Sequence, residues 1–518
     1  MALQTLPIPI GQIRKQVAES SSRMSIKDAT YPEYNLSVPI DHFKDDSRYE
    51  PHSDDTFPLR YWFDAQFYEP GGPVFVLSGG ETSGADRLPF LEKGIVYEIA
   101  KATKGLGVIL EHRYYGSSIP TPDFSTENLR FLTTEQALAD TAYFAQNVKF
   151  EGVDADLSPT AAPWIAYGGS YAGSFVAFLR VAYPDVFFGA VSSSGVPEAI
   201  WDYWQYFEAA RLFAPGECSN VTGKVVHVVD SILLDDAHAD LKGQLKDVFG
   251  MSGVTDDKDF ASGIAGGIYE LQSYNWDPEL SSDGFFRYCD AVQQTTNQYP
   301  GLEGKRDAVK ELVTAAGYEG DELNILTEQM LNYIGTLGRS LAACTGDQNE
   351  CFGTSDVHLL ADDDLSQTWR LWAYQVCTEW GFLQTGSGAP DDILPMISRA
   401  VDLEYSSRQC REAFDLTEPA NTDLVNKYGG HDIAYDRLAF VDGEWDPWRA
   451  AGVHAVGLPE RESTTSRPMI LIDDAVHHWD ENGITDDQVT PDFPPPAVKE
   501  AKDQIREFIL EWLKEWKA

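Results

Sequence analysis

Short apolar runs alternate with helix-like stretches in the first part of the chain, from residue 70 to residue 195. The apolar runs are PVFVLSGG (73–80), GVIL (107–110), WIAYGG (164–169) and FFGAVSSSG (187–195). Between them, TTEQALADTAYFAQNV and SFVAFLRVAYP have helical spacing, and Pro184 ends the second of these. Short strands that alternate with helices predict a mostly parallel sheet covered by helices.

The same alternation returns near the end of the chain. Apolar runs stand in RLAFVDGEWDPW (437–448) and PMILIDDAVHHWD (468–480). The closing stretch AVKEAKDQIREFILEWLKEW predicts an amphipathic helix. Its apolar positions fall on one helical face: Val498, Ala501, Ile505, Phe508, Ile509, Trp512 and Trp516.

The region between these two parts has a different pattern. From Pro197 to about residue 430, long helical patterns such as WDYWQYFEAARLF dominate, and no strand is obvious. We therefore predict an α/β domain formed by residues 1–196 and 431–518, with a mainly helical domain of residues 197–430 inserted into it. The sequence shows no internal repeat and no low-complexity linker.

The strong negative charge of the chain limits its partners and favours an acidic compartment. Asp and Glu number 82 against 39 Lys and Arg, a net charge of −43. Such a surface repels nucleic acid and anionic membranes, so we expect neither as a partner. Because carboxyl groups titrate near pH 4, much of this self-repulsion disappears in acid. The charge favours a protein that works at low pH, although acidic surfaces also occur in neutral cytosol.

Cysteines and glycosylation motifs favour the secretory route. No run approaches the roughly 18–20 apolar residues of a membrane span, and the start, MALQTLPIPIGQIRKQ, lacks the apolar core of a signal peptide. The protein is therefore either intracellular or has lost its signal. Two N-glycosylation sequons, at Asn35 and Asn220, and an even set of six cysteines favour a secreted or vacuolar, lysosomal protein. The cysteines lack CxxC spacing and nearby histidines, so no metal site is expected. They are Cys218, Cys289, Cys344, Cys351, Cys377 and Cys410.

The stretch WIAYGGSYAG (164–173) carries the first candidate for chemistry. A strand, a sharp glycine turn, a serine and a helix form the context of a nucleophile elbow, with Ser170 as the nucleophile. The match to G-x-S-x-G is imperfect, because Ala172 takes the last position and Gly173 follows it. Small residues here would also allow a helix to pack closely against a sheet without any catalytic role. The choice between the two interpretations depends on whether the chain also supplies a base and an orienting acid.

A serine nucleophile needs a base and an orienting acid, which in α/β-hydrolases follow late strands in the order Ser, Asp or Glu, His. The run at 438–441 is followed by three acids, Asp442, Glu444 and Asp446. The run at 469–472 is followed by His477 and His478. All three parts arrive in the expected order, each at the end of a predicted strand. This arrangement predicts a hydrolase.

Several motifs together resemble one known family. EHRYYGSS (111–118), LTTEQALAD (132–140), GGSYAG (168–173), YQVCTE (374–379), DPW (446–448) and HHWD (477–480) occur in this order. They resemble the serine peptidases that include lysosomal Pro-Xaa carboxypeptidase, dipeptidyl peptidase II and fungal acid prolyl endopeptidases. The resemblance spans about residues 70–480. It implies an α/β-hydrolase fold with a large, mainly helical cap between the nucleophile and acid segments, and no cofactor.

The resemblance assigns a role to each triad residue. Ser170 matches the nucleophile, Asp446, before Pro-Trp, matches the orienting acid, and His477 matches the base. His477 is preferred over His478 because the family's catalytic histidine stands three residues before the aspartate of H-x-x-D, here Asp480.

The oxyanion hole and the pocket for the residue before the cleaved bond follow from the same resemblance. The hole should use the backbone N–H of Tyr171 and that of Gly80 or Glu81. The chain reads GGET (79–82) where the family has G-N-E-G, but backbone donors do not depend on side chains. Cleavage after proline needs an apolar, aromatic pocket, and Trp448 and Phe382 occupy matching positions.

The resemblance also implies two disulfides, Cys218–Cys289 and Cys377–Cys410, which leave Cys344 to pair with Cys351. It implies proline-containing peptides or proteins as substrates, with alanine as a second choice, and a monomer or homodimer. Endopeptidase, carboxypeptidase and dipeptidyl peptidase modes all remain open. A carboxylesterase or lipase on the same fold, or an inactive hydrolase that serves as a binding protein, are the alternatives.

Overall fold

An eight-stranded sheet forms the centre of the structure, a computed structural model that describes residues 6–23, 31–485 and 487–517. The strand order is β1-β2-β4-β3-β5-β6-β9-β10, and β7 pairs with β8 in a separate small sheet. The strands are β1 Tyr34–Pro39, β2 Thr56–Asp64, β3 Val74–Ser78, β4 Leu106–Leu110, β5 Trp164–Gly169, β6 Gly189–Ser193, β7 Ile200–Asp202, β8 Gly381–Leu383, β9 Leu438–Gly443 and β10 Met469–Ile472.

The predicted parallel core is confirmed. Strands β4, β3, β5, β6, β9 and β10 run parallel to one another, whereas β2 pairs antiparallel with β4 and β1 pairs antiparallel with β2 at one edge. Every residue of β3, β4 and β5 is buried, which explains their continuous apolar runs, because a parallel sheet is covered on both faces.

Helices cover both faces of the sheet. Along β3, Val74 and Val76 face one apolar cluster, and Phe75 and Leu77 face the other. The helices are α1 Ile10–Arg23, α2 Pro89–Glu92, α3 Ile95–Thr103, α4 Thr134–Asn147, α5 Tyr171–Ala182, α6 Glu208–Phe213, α7 Cys218–Leu233, α8 Lys242–Val248, α9 Asp257–Gly263, α10 Gly266–Tyr269, α11 Gly284–Val292, α12 Arg306–Ala315, α13 Gly320–Thr336, α14 Gly338–Ala343, α15 Gln348–Phe352, α16 Val357–Ala361, α17 Trp369–Gln375, α18 Leu403–Ser406, α19 Arg408–Phe414, α20 Asp423–Asn426 and α21 Pro496–Glu515.

The C-terminal helix α21 packs on the sheet with the face that its sequence predicts. The predicted residues from Val498 to Trp512 are all buried in the cluster on that side. Trp516 differs, because α21 ends at Glu515; its half-buried ring instead meets the edge of Phe188, with ring centroids 5.2 Å apart.

The segment between β6 and β9 is largely helical, as the sequence predicts, but it also contains the short strands β7 and β8, which the sequence did not make obvious. Strand β7 (200–202) includes the first two residues of WDYWQYFEAARLF (201–213), residues 204–207 form a 3₁₀ turn, and only α6 is α-helical. Ile200 pairs with Gly381 and Asp202 with Leu383. Because these partners lie far apart in sequence, local periodicity could not reveal the strand.

Three disulfides lie in this helical segment. Cys218–Cys289 joins α7 to α11, Cys344–Cys351 joins α14 to α15, and Cys377–Cys410 joins the π-helical turn at 376–380 to α19. The first and third of these are the pairs that the family resemblance implies, and the second joins the two cysteines that it leaves.

The strand order and the sharp turn from β5 into α5 are those of the α/β-hydrolase fold, with a mainly helical insertion before the last two strands. The predicted fold class is therefore confirmed. Among the residues that the structure describes, no helix is both long enough and apolar enough to cross a membrane.

Candidate active site

Ser170 occupies a strained turn between β5 and α5. Its backbone has φ 59° and ψ −124°, a conformation that non-glycine residues rarely adopt. The turn is held by the Ser170 N–H, which donates to the Ser193 carbonyl at 2.9 Å. This geometry lifts the serine side chain above the end of the sheet, as in a nucleophile elbow.

Two glycines allow the close approaches around this turn. A Cβ on Gly169 would lie 2.3 Å from His478 Nδ1, and one on Gly173 would lie 2.8 Å from the Ser193 carbonyl oxygen. Gly173 therefore lets α5 pack directly on the end of β6. The displacement of this glycine from the usual motif position leaves the turn intact.

Ser170, His477 and Asp446 form one hydrogen-bonded chain. His477 Nε2 lies 3.0 Å from Ser170 Oγ, and His477 Nδ1 lies 2.7 Å from Asp446 Oδ2. The three residues follow β5, β10 and β9 respectively, and all are buried, with exposures of 2%, 7% and 2%. The structure thus brings together the three residues that the sequence singles out.

Asp446 is held in its charged form. Burial alone would raise its pKa, but the charge of His477 and its hydrogen bond outweigh burial, so that the pKa of Asp446 lies below its usual value. An ionised acceptor at His477 Nδ1 fixes the proton on that nitrogen. Nε2 is then free to accept the proton of the serine hydroxyl.

The predicted oxyanion loop lies against the start of α5. Gly80 has φ +66°, and a Cβ there would lie 3.3 Å from the Ala172 methyl group. Tyr171 is the first residue of α5, so its N–H stands at the helix N-terminus. Glu81 is half-buried, and among the described residues its Oε2 has no hydrogen-bond partner.

The phenol of Tyr171 is held by hydrogen bonds to two residues from other parts of the chain. It lies 2.8 Å from His112 Nε2, and Gln375 Nε2 donates to it at 3.0 Å. Tyr115 donates to Gln375 Oε1 at 2.6 Å. The EHRYYG and YQVCTE motifs therefore meet behind the residue that follows Ser170.

The two other acids considered in the sequence, Asp442 and Glu444, have partners of their own. Asp442 Oδ2 lies 2.6 Å from His454 Nδ1, away from the serine. Glu444 accepts the backbone N–H of Asp474 at 3.2 Å. Neither acid belongs to the chain of hydrogen bonds that ends at Ser170.

His478 makes a second acid–histidine pair beside the first. Its Nδ1 lies 2.7 Å from Glu481 Oε2, and its ring stands edge-on to the His477 ring with centroids 3.9 Å apart. Burial and the neighbouring His477 lower the pKa of His478 well below its usual value, so the ring stays neutral. His478 supports the catalytic loop without reaching the serine.

A second buried carboxyl group, that of Asp480, lies next to Glu481 of this pair. Asp480 accepts hydrogen bonds from the Tyr167 hydroxyl and, at 2.6 Å, from Ser193 Oγ. Burial, and for Asp480 the negative charge of Glu481, raises the pKa of both carboxyl groups to about 7. The pair therefore takes up protons at a pH where ordinary carboxyl groups remain charged.

The two predicted pocket residues lie in one aromatic cluster beside Asp446. The rings of Phe382 and Trp448 meet edge to face with centroids 5.2 Å apart. Tyr203 stacks on Trp448 at 5.3 Å, and Tyr206 meets the edge of the same ring at 5.4 Å. The sequence did not single out the two tyrosines, because the segment around them reads as a helix.

Gln272 also escaped the sequence analysis, since nothing local marks it. Its Oε1 accepts hydrogen bonds from Trp448 Nε1 at 3.0 Å and from the Tyr206 hydroxyl at 2.9 Å. Its Nε2 is buried and has no partner among the described residues. Gln272 thus fixes two rings of the cluster and keeps one donor unused.

The two sequon asparagines are exposed, Asn35 on edge strand β1 and Asn220 in the first turn of α7. Both side chains are within reach of solvent. Their glycosylation stays a prediction.

The sequence of the chain matches the model of a known protein family. Residues 39–492 match the model described as serine carboxypeptidase S28. The chain belongs to this family. It is therefore a serine-type peptidase, as the resemblance implied, and the S28 match covers strands β2–β10 and the helical insertion.

Three relatives illustrate the range of this S28 chain's similarity. A "Probable extracellular serine carboxypeptidase" of Arthroderma benhamiae is 49% identical, covering 98% of this chain and 72% of its own. "Serine protease vicPa" of Bipolaris victoriae is 28% identical over 88% of this chain and 86% of its own. The "Thymus-specific serine protease" of Mus musculus is 26% identical over 93% and 87%.

Proposed function

We propose that this S28 peptidase cleaves peptides after proline, through an acyl-enzyme formed on Ser170, and that it works outside the cell in an acidic medium. The observation that carries the proposal is the continuous chain from Asp446 through His477 to Ser170 Oγ at the ends of three strands. That chain is the arrangement a serine needs to become a nucleophile.

In the acylation step, Ser170 Oγ attacks the carbonyl carbon of the scissile bond while His477 Nε2 takes the hydroxyl proton. Asp446 stabilises the imidazolium that forms, because its carboxylate lies 2.7 Å from Nδ1. His477 then gives the proton to the leaving amine, and the C–N bond breaks. Water attacks the acyl-enzyme by the same route, with His477 again as base.

Charge on the tetrahedral intermediate needs donors beside Ser170. The N–H of Tyr171, at the start of α5, and that of Gly80 or Glu81 fill this role in the proposal. Donors fixed by the backbone require no rearrangement as the charge develops. This part of the site depends on main-chain geometry and tolerates the GGET sequence.

The aromatic cluster provides the pocket for proline. Its rings are those of Trp448, Phe382, Tyr203 and Tyr206, all of which are buried. The polar atoms of Trp448, Tyr203 and Tyr206 are used within the protein. Tyr203 donates to the Pro447 carbonyl at 2.9 Å, and the other two donate to Gln272. A compact apolar ring suits such a pocket. A lysine would bury an unpaired ammonium there, which costs several kcal/mol.

We further propose that residues 197–430 act as a cap domain on a catalytic domain formed by residues 1–196 and 431–518. Trp448 and Phe382 support this division, since the pocket joins one residue from each part. Secretion is supported by the three disulfides, the exposed sequons and the relative described as extracellular.

The test is a peptide series that differs only in the residue before the scissile bond. Proline should give the highest kcat/KM, alanine the next, and leucine and lysine far lower values, with products identified by mass. A preference for leucine or lysine would contradict the proposed pocket. Failure of a serine-directed phosphonylating reagent to label Ser170 would contradict the proposed nucleophile.

A further inference from the structure

Arg87 stands beside the oxyanion loop without a role in the triad. It ends the 3₁₀ turn at 84–87, which directly follows that loop, and it is half-buried. Its Nε donates to the Gly79 carbonyl at 3.1 Å, and its Nη2 would lie 3.9 Å from a Cβ built on Gly80. The guanidinium therefore lies against the loop that holds a proposed oxyanion donor.

The same guanidinium also acts on the histidine loop after β10. Its positive charge lowers the pKa of His478 and opposes the rise in that of Glu481. The His478 ring is in contact with the His477 ring. Arg87 thus stands between the loop after β3 and the loop that carries the proposed base.

The charge of Arg87 has no close counter-ion. Among the residues that the structure describes, no carboxylate forms an ion pair with it within 4.0 Å, although acids outnumber bases 82 to 39. Arg449, which also lies near the triad, is different: its Nε and Nη1 donate to the carbonyls of His454 and Glu444. Within the described part of the chain, Arg87 donates a hydrogen bond only through Nε, which leaves its two terminal nitrogens available.

The leaving half of a substrate must lie beside the base, because His477 protonates the leaving amine. In a C-terminal residue, the α-carboxylate carbon is only about 2.5 Å from that amine nitrogen. A cation that serves a free C-terminus must therefore stand at the edge of the catalytic site. An arginine with two free terminal nitrogens matches a carboxylate in geometry and charge.

We propose that Arg87 binds the free α-carboxylate of the substrate's C-terminal residue, so that the enzyme removes one residue from the end of a peptide. This inference rests on the proposed proline-specific peptidase and names the residue that would recognise the substrate's C-terminus in the carboxypeptidase mode of the family description. Because an α-carboxyl group titrates near pH 3.5, the ligand stays charged in a moderately acidic medium.

The experiment compares two peptides with proline as the penultimate residue, one ending in a free acid and one in an amide. The wild-type protein should cleave the acid about 10- to 100-fold faster, since a charge-assisted contact is lost in the amide. Arg87→Gln should bring the acid-to-amide ratio of kcat/KM close to one. Arg87→Lys, which keeps the positive charge but not the forked guanidinium, should retain part of the preference for the free acid.

Arg506→Gln is the matched control, because it removes an exposed cation of α21 that pairs only with Asp503; its ratio should equal that of the wild type. Equal cleavage of both peptides by the wild type would overturn the inference alone. The inference would also be overturned if Arg87→Gln lowered kcat/KM equally for both peptides and left the acid-to-amide ratio unchanged. Cleavage of neither peptide by the wild type would overturn the proposed function together with it.

Discussion

Trp448 donates its backbone N–H to Asp446 Oδ1 at 2.9 Å, while the other oxygen of the same carboxylate faces His477. One short turn after β9 therefore holds the proposed catalytic acid and one wall of the proposed proline pocket. Because this hydrogen bond uses the backbone, the Trp448 side chain can be changed without removing the contact that orients Asp446. The two functions can thus be separated by mutation.

Trp448→Ala should lower kcat/KM for proline substrates at least about tenfold more than for alanine substrates, because the ring surface that contacts proline is lost. The variant should also lose stability, by about 3–5 kcal/mol, as is typical when a buried tryptophan is truncated. Steady-state kinetics on the two peptides, at a temperature where the variant is folded, give the comparison.

Trp448→Phe serves as the control, since it keeps an aromatic wall and loses the hydrogen bond to Gln272. It should preserve the preference for proline. If Trp448→Ala lowers kcat/KM equally for the proline and alanine substrates, Trp448 acts through the fold and not through the pocket.

The sequence predicted the centre of the fold well because burial on both faces gives β3–β6 and β9 their apolar runs. The two antiparallel strands at one side of the sheet were less visible. Strand β1, at the edge, alternates exposed and half-buried positions over most of its length, and Pro58 lies inside its neighbour β2. Such strands have weak local signals, since the edge of a sheet tolerates polar residues and proline.

The candidate triad was predictable because each member follows a strand in a fixed order. Tyr203, Gln272 and Arg87 were not, because each reaches the site from a segment that has its own local pattern. Tyr203 meets Trp448 only through tertiary packing, and Gln272 bonds to a ring far away in sequence. A single sequence carries no record of these contacts.

Replacement of the two neighbouring histidines should give unequal results. His477→Ala should lower kcat by roughly 10⁴–10⁶, as for other triad members. His478→Ala should be milder, because His478 contacts Glu481 and not the serine. Parallel kinetics at one pH measure both, and a larger loss for His478→Ala would move the role of base to that residue.

Stability should fall as the pH rises from about 4 to about 7. Asp480 and Glu481 have a pKa of about 7 in the folded protein, against roughly 4 in the unfolded chain. Between these values the folded state binds more protons than the unfolded state, so a rise in pH favours unfolding. Denaturant unfolding at pH 5 and pH 8 measures the change.

Glu481→Gln should reduce this pH dependence, since it removes one titrating group and keeps an acceptor for His478. Glu507→Gln, a surface change on α21 at an exposed position, is the control and should leave the slope unchanged. If the free energy of unfolding changed equally with pH in the wild type and in Glu481→Gln, other groups would be the cause of the pH dependence.

The disulfides should differ in their contribution to stability. Cys218–Cys289 closes a loop with a sequence separation of 71 and is fully buried, whereas Cys344–Cys351 spans only 7 and is half-buried. From loop entropy, removal of the first should cost about 2 kcal/mol more than removal of the second. Thermal unfolding of the two double Cys→Ala variants tests this order, which equal losses would contradict.

The most direct test of the account is kcat of Ser170→Ala on a peptide with proline before the scissile bond, measured beside the wild type. The hydroxyl of Ser170 is the only group of the turn that His477 contacts among the described hydrogen bonds, and its removal leaves the buried backbone in place. We expect an intact fold by circular dichroism and a fall in kcat of roughly 10⁴-fold or more. A folded variant that retains a tenth of the wild-type kcat would contradict the assignment of Ser170 as the nucleophile.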